Sequence, residues 1–177
     1  MAKSKPPRKK YDPRKMQRRI EAKETAFVKR LIRESEAREM THDDLKRLAL
    51  AYHGAFATLR LVGGHDAFKD VAAAMLIAEE FARIGIGAEF KPEIDEALKA
   101  LERLQHRAIG RDGKAGTGRW VLDGDGLKAV GKGMAAYDCQ MEVATYGELR
   151  EAVLVAAEKN DQRWAVDAVN DVLKEAA

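Results

Sequence analysis

Apolar residues recur at steps of three and four through most of this chain, and glycines or capping residues interrupt them. Between Thr41 and Gly63 this spacing is that of one face of an α-helix, carried by Leu45, Leu48, Tyr52, Ala55, Phe56, Leu59 and Val62. No segment alternates apolar and polar residues over more than a few positions, as a half-buried strand would. The sequence therefore predicts an all-α fold, a helical bundle of six or seven helices.

Residues that favour helix ends lie at the borders of these segments. The predicted starts are marked by Thr41 with Asp44, Asp66, Pro92, Asp123 or Asp125, and Thr145 with Glu148. A last helix is predicted from Asp161, with inward positions at Trp164, Ala168, Val169 and Val172. Within the helix after Asp125, Gly131 and Gly133 each cost about 1 kcal/mol relative to alanine, unless another helix crosses closely there.

Positive charge is concentrated at the start of the chain. Residues 1–19 contain one acid and nine basic residues, which are Lys3, Lys5, Arg8, Lys9, Lys10, Arg14, Lys15, Arg18 and Arg19. The formal net charge of +3 therefore divides into +8 for these residues and −5 for the rest. Because residues 1–13 hold three prolines and almost no apolar side chain, they cannot bury enough surface to offset the entropy of ordering. We predict a disordered basic arm over 1–13.

A charged amphipathic helix is predicted over 14–40, ahead of a helical bundle domain over 41–177. Its narrow apolar stripe runs through Met16, Ile20, Phe27 and Leu31. The stripe is too narrow for a central core helix and too regular to be accidental. We therefore expect Ile20, Phe27 and Leu31 to bind a partner, either a second copy in a homodimer or another protein.

Cysteine usage and hydropathy indicate the compartment. The single cysteine, Cys139, cannot form an intramolecular disulfide, and its apolar neighbours favour a packed thiol. No basic start is followed by the apolar stretch of a signal peptide. The longest apolar run, residues 71–78, is far shorter than the roughly 20 residues that a membrane span needs. We expect a cytoplasmic protein with no membrane partner.

The glycine-rich segment 110–118, GRDGKAGTG, suggests a phosphate-binding loop but lacks the rest of the pattern. In a Walker loop, the glycine-lysine pair follows a strand and precedes Ser or Thr, whereas Gly113-Lys114 precedes Ala115 and follows a predicted helix. The dinucleotide fingerprint would need a small residue where Val121 stands. We expect a mobile surface loop, and no nucleotide cofactor.

Two acidic motifs suggest metal sites. The doublet His65-Asp66 suggests a helical metal-dependent phosphohydrolase, with His53 upstream and with His106 and Asp138 as candidates for the remaining metal ligands. That family, however, needs its doublet inside a buried helix. Asp123-Gly124-Asp125 has the spacing of the first two acids of a calcium-binding loop. The fifth position of such a loop would be Leu127, however, and its terminal glutamate is missing. The sequence therefore favours a protein that is not an enzyme and has no catalytic, metal or cofactor site.

In general character the chain resembles the uncharacterised small helical proteins of temperate phages and plasmids of bacteria, which often pair a short Lys/Arg arm with an alanine-rich body. The resemblance implies either binding of nucleic acid or inhibition of a host protein, such as a defence or transcription component. The nine cations favour the first role, an accessory protein that binds DNA or RNA with little sequence preference. In the alternative, the acidic body occupies a basic groove of the host protein, and the arm is a solubilising tail.

Overall fold

The computed structural model of the chain describes residues 13–110 and 116–160. Within these ranges the chain forms six α-helices and one 3-10 turn. They are α1 (Pro13–Glu36), α2 (His42–Leu61), α3 (His65–Arg83), the 3-10 turn (Ala88–Phe90), α4 (Lys91–Ile109), α5 (Gly124–Val143) and α6 (Tyr146–Asn160). No β-strand forms in these ranges, so the all-α prediction is confirmed there. Residues 1–12 of the predicted arm, and the helix predicted from Asp161 with Trp164, lie outside the described residues.

The chain divides into two compact units between Ser35 and Glu36. The first unit, residues 1–35, contains α1, and the second, residues 36–177, contains α2 to α6. An isolated antiparallel bridge pairs Glu39 with Thr145 inside the second unit.

Helix α3 lies at the centre of the second unit, where it contacts α2, α4, α5 and α6. Its side chains Val71, Met75, Ala78 and Phe81 have no exposed area. The run Ala72–Ala74 is also buried, and its small side chains let neighbouring helices approach closely. The apolar residues that recur at steps of three and four in this helix therefore form part of a buried core.

One position in those steps was predicted wrongly. Val62 was expected to face inward with the rest of α2, but its side chain is 79% exposed. The reason is that α2 ends at Leu61 and Val62 is its C-cap residue, whose N–H donates to the Thr58 carbonyl. Because the helix ends before position 62, its backbone does not direct this side chain toward the core.

Most of the predicted caps are present. The Thr41 side chain accepts from the Asp44 N–H, and the Asp123 carboxylate accepts from the Gly126 N–H at 2.7 Å. The pair Thr145 and Glu148 forms the full capping box, with Glu148 Oε2 accepting from the Thr145 N–H at 2.8 Å and Thr145 Oγ1 accepting from the Glu148 N–H at 3.3 Å.

The predicted cap at Asp66 is wrong. Helix α3 begins at His65, so Gly64 occupies the N-cap position and Asp66 lies in the first turn, where Lys69 Nζ donates to it at 3.1 Å. Gly63 and Gly64 have φ values of 81° and 130°, which let the chain enter the helix early. A side chain at Gly63 would also place its Cβ 2.7 Å from the Trp120 carbonyl oxygen.

The two helix glycines of α5 have different surroundings. A Cβ at Gly133 would lie 2.6 Å from Ala97 Cβ and 2.7 Å from Met75 Sδ, so α3 and α4 both approach α5 at this point. A Cβ at Gly131 would meet only Phe56 Cζ, at 3.9 Å. The close crossing that would justify a glycine therefore exists at Gly133 and not at Gly131.

The buried carboxylate of Asp44 joins the start of α2 to the start of α6. Both the Thr41 hydroxyl and the Tyr146 hydroxyl donate to Asp44 Oδ2. These hydrogen bonds, from Thr41 first and then Tyr146, hold the pKa of Asp44 below its ordinary value. A carboxyl group whose pKa falls on folding stabilises the folded state above its unfolded pKa, and loses that contribution as the pH falls through the folded-state value.

We therefore expect Asp44→Asn to lower the free energy of unfolding by about 1 to 3 kcal/mol at neutral pH, because the hydroxyl donors lose a charged acceptor. The difference from wild type should begin to shrink as the pH falls below about 4, the ordinary aspartate pKa, and should be lost as the pH falls through the lower pKa of Asp44 in the folded state. Urea unfolding at several pH values measures both effects. Asp43→Asn, at the exposed neighbouring position, is the matched control. An equal effect of both variants at every pH would contradict the assignment.

Candidate nucleic-acid interface

The nine predicted phosphate-binding residues divide between two parts of the chain. Five of them lie outside the described residues: Lys3, Lys5, Arg8, Lys9 and Lys10. The other four belong to α1, whose backbone is described although their side chains are not: Arg14, Lys15, Arg18 and Arg19. The second half of the predicted basic tract is thus carried on a helix that begins at Pro13, a residue suited to a first helical turn.

Helix α1 carries more positive charge than the sequence reading assigned to it. Its 24 residues contain eight lysines and arginines against four glutamates. Four of these basic residues lie beyond residue 19, where the predicted tract ends, and three of the four have described, exposed side chains: Lys29, Arg30 and Arg33. Arg30 Nε donates to Glu34 Oε1 at 2.7 Å, an exposed pair that leaves the guanidinium largely in solvent.

The basic positions of α1 share one side of the helix. At about 100° per residue, positions 14, 15, 18, 19, 23, 29, 30 and 33 fall within one half of the circumference. Three of the four glutamate positions, 21, 24 and 34, fall in the other half. The remaining glutamate, Glu36, ends the helix and accepts from Arg150 Nη1 at 2.5 Å. The backbone of α1 thus gathers lysine and arginine positions into one continuous strip.

The predicted partner-binding stripe is described only in part. The side chains of Ile20 and Phe27 lie outside the described residues, and Leu31 is about half exposed, as are Val28 and Ile32. Positions 20, 27 and 31 fall in the half of α1 away from the basic positions. A partner for this stripe stays a prediction.

The residues of the His-Asp doublet have other neighbours. The ring of His65 lies 4.6 Å from that of Trp120, and the Trp120 ring lies 4.7 Å from that of Phe68, so the three rings pack together at the start of α3. His106 Nε2 lies 3.4 Å from Glu102 on its own helix. Among the residues that the structure describes, no three His, Cys, Asp or Glu side chains are close enough together to hold a metal ion.

The structure does bring together two residues that the sequence reading considered as loose metal ligands. His53 Nε2 lies 3.1 Å from both carboxylate oxygens of Asp138, and the Tyr52 hydroxyl donates to Asp138 Oδ1 at 2.7 Å. Burial and the neighbouring Asp138 carboxylate raise the pKa of the Tyr52 phenol above its ordinary value. These contacts join α2 to α5 through polar side chains.

The flanks of the glycine-rich segment are held to α4. Residues 111–115, with Gly113 and Lys114, lie outside the described residues, but the Thr117 and Gly118 N–H groups donate to the carbonyls of Arg107 and Ala108 at 2.9 Å. The Arg107 guanidinium donates to Asp123 Oδ2 at 2.9 Å and to the Val121 carbonyl at 2.5 Å. Asp123 is therefore engaged as a helix cap and ion-pair partner.

The prediction of a packed thiol at Cys139 is wrong, because Cys139 is exposed. In α5 the buried positions Val130, Met134, Tyr137 and Met141 define the inward side. Position 139 lies about 200° around the helix from Tyr137 and so points to the opposite side. Apolar neighbours in sequence did not indicate burial here.

An open groove of about 540 Å³ lies between α3 and α4. Leu76 and Leu98 contribute apolar walls, and three carboxylates border it, from Glu79, Asp95 and Glu102. Two cations lie at the same groove, since Lys91 Nζ donates to Asp95 at 2.8 Å and Lys99 is among the lining residues. The negative charge at the groove is thereby partly neutralised.

The chain matches no known protein-family model, no curated protein and no solved structure. Among the residues that the structure describes, none of the helices has the length and apolar character to cross a membrane.

Proposed function

We propose that this chain is a non-enzymatic accessory protein that binds DNA or RNA through the phosphate backbone, with little sequence preference. The binding segment is residues 1–36, which hold thirteen of the 32 basic residues and five of the 29 acidic ones. The single observation that carries the proposal is the strip of eight lysine and arginine positions on one half of α1. A helix with such a strip can lie along a row of phosphates. Four of the nine basic residues that the sequence predicts to bind phosphate belong to this strip.

Low sequence preference follows from where the cations lie. Sequence is read by side chains that reach base edges in a groove, usually from a recognition helix supported by a packed domain. In the described part of the second unit, several basic side chains pair with acidic ones, as in Arg83 with Glu80 and Arg107 with Asp123. These pairs leave the guanidinium groups of Arg83 and Arg107 less available to bases or phosphates than the lysine and arginine positions gathered on α1.

The alternative, inhibition of a host protein by an acidic body that mimics nucleic acid, has less support. Residues 37–177 do carry a net charge of −5. Yet the ion pairs Lys69–Asp66, Lys91–Asp95 and Arg107–Asp123 spread basic groups among the acids of this surface. A mimic of nucleic acid would concentrate its carboxylates in rows.

We expect the full chain to bind duplex DNA, duplex RNA and single strands of unrelated sequence with dissociation constants within about tenfold of each other, in the range of about 10⁻⁴ to 10⁻⁶ M at physiological salt. Fluorescence anisotropy with labelled oligonucleotides measures these values. A preference of more than about a hundredfold for one sequence would instead indicate base readout. Absence of binding to every oligonucleotide at low salt would remove the proposal.

A further inference from the structure

Helix α2 presents a second apolar face to solvent, opposite the face that packs into the core. Its buried side chains are on one side, among them Ala55 and Leu59. On the other side, Leu50 is 75% exposed and Leu61 is 79% exposed. With Val62, these are the most exposed large apolar side chains in the described part of the chain. We call the four residues Leu50, Gly54, Ala57 and Leu61 the α2 seam.

The α2 seam has the spacing of a helix-pairing surface. Its residues step by four, three and four, which is the spacing of the a and d positions of a coiled coil. Both central residues are small, and both ends are leucines. The small residues leave room for large side chains of a second helix, and the leucines at either end supply apolar contacts for it.

Gly54 has no explanation within the fold of this chain. It lies in the interior of α2, where glycine is the least favourable residue after proline. A Cβ at this position would meet no atom within 4 Å, so no neighbouring helix of the chain requires its absence. The open space is where a docked helix would approach the α2 backbone.

The charges around the α2 seam are basic. Residues 45–64 contain no aspartate or glutamate, although the chain of 177 residues has 29 of them. Lys46, His53 and Arg60 repeat every seven residues along one border of the seam, the g positions of the same heptad. Along this border His53 lies against Asp138, and the exposed side chains of Lys46 and Arg60 carry the permanent positive charge.

These charges decide between the occupants. A second copy laid on the same face offers no carboxylate in either direction, because residues 45–64 contain none, and an antiparallel copy would also set Lys46 against Arg60 of its partner. Nucleic acid offers phosphates to the basic border but no apolar surface to cover the two leucines. An amphipathic helix with carboxylates beside its apolar stripe satisfies both features.

We propose that the α2 seam binds an amphipathic α-helix of another protein, one that carries aspartate or glutamate along the border of its apolar stripe. The partner helix lies along α2, with large apolar residues over Gly54 and Ala57 and its carboxylates beside Lys46 and Arg60. This interaction uses a different surface from the nucleic-acid contact proposed for residues 1–36.

The test uses the full chain and two synthetic helical peptides with the same leucine stripe. One peptide carries glutamate beside the stripe and the other carries lysine. By fluorescence anisotropy, the acidic peptide should bind, and the basic peptide should bind at least about tenfold more weakly. A scrambled peptide of the acidic composition measures attraction to the basic segment 1–36, and it should also bind at least about tenfold more weakly.

Variants then locate the contact. Leu61→Glu should weaken binding of the acidic peptide at least about tenfold, whereas Val143→Glu, at a 67% exposed position of α5, should not change it. The double variant Lys46→Glu with Arg60→Glu should reverse the preference, so that the basic peptide binds better. Gly54→Leu should raise the midpoint of thermal unfolding and yet weaken peptide binding, a combination that a merely structural role for Gly54 does not produce.

Equal binding of the acidic, basic and scrambled peptides would overturn the proposal, as would binding that Leu61→Glu leaves unchanged. A concentration-dependent dimer that Leu61→Glu dissociates would identify a second copy as the occupant and would also overturn it. Oligonucleotide binding by Leu61→Glu should equal that of wild type, so failure of this proposal and failure of the nucleic-acid proposal are distinguishable.

Discussion

Replacing Gly133 with valine should lower the free energy of unfolding by about 3 kcal/mol, near the upper end for an overpacked core. The first added carbon would already stand 2.6 Å from Ala97 Cβ and 2.7 Å from Met75 Sδ. Both neighbours are fully buried, so neither can move aside without displacing α3 or α4. Urea unfolding followed by circular dichroism measures the loss.

Two further variants show whether the close crossing at Gly133 is the cause. Gly131→Ala, two residues away in the same helix, should raise the free energy of unfolding by about 0.5 to 1 kcal/mol, because it improves helix propensity in open space. Gly133→Ala should be destabilising alone and partly rescued by Ala97→Gly, which removes one of the two colliding atoms. A Gly133→Val protein within about 0.5 kcal/mol of wild type would contradict the packing of α3, α4 and α5 described above.

The second large effect concerns the basic strip of α1. Replacing Lys29, Arg30 and Arg33 together with glutamine should weaken binding to duplex DNA about five hundredfold at about 0.1 M salt. The estimate follows from counterion release. Each phosphate contact adds about 0.9 to the salt slope, so relative to about 1 M salt each contact contributes roughly eightfold at about 0.1 M, and three contacts multiply. Glutamine keeps a similar helix propensity, so α1 should remain helical.

The control for this variant removes the same charge from the second unit. Lys99, Lys128 and Lys132 are exposed, and their joint replacement with glutamine lowers the net charge equally. Binding should then fall by less than about threefold, because these residues contribute only long-range attraction that salt screens. Equal losses in the two triple variants would mean that net charge, rather than the strip on α1, drives binding.

Local signals made most of the fold predictable from the sequence. A capping box such as Thr145 with Glu148, or a proline such as Pro92 in a first turn, acts within one turn of helix and needs no knowledge of the neighbours. Two of the errors lie where a helix end shifted by a residue or two. Val62 became a C-cap residue and Asp66 moved past the N-cap, because Gly63 and Gly64 changed the path between α2 and α3.

The candidate sites were harder to predict for a different reason. The charge density of residues 1–19 was visible, but Lys29, Arg30 and Arg33 join the same strip only when positions are followed around a continuous helix. The contact between His53 and Asp138 joins residues 85 apart in sequence, and no local pattern indicates it. The α2 seam was missed because the apolar steps followed in this helix pass through its core face and do not include Leu50 or Leu61.

The most direct test of the proposed function is the salt dependence of DNA binding by the full chain. We predict that a plot of log affinity against log salt, from about 50 to about 200 mM, has a slope near −4, as expected when about five cations engage phosphates. Neutralising Lys29, Arg30 and Arg33 should bring the slope to between about −1 and −2. A wild-type slope between about 0 and −1, or a slope that this triple variant leaves unchanged, would contradict a phosphate-binding role for the basic strip of α1.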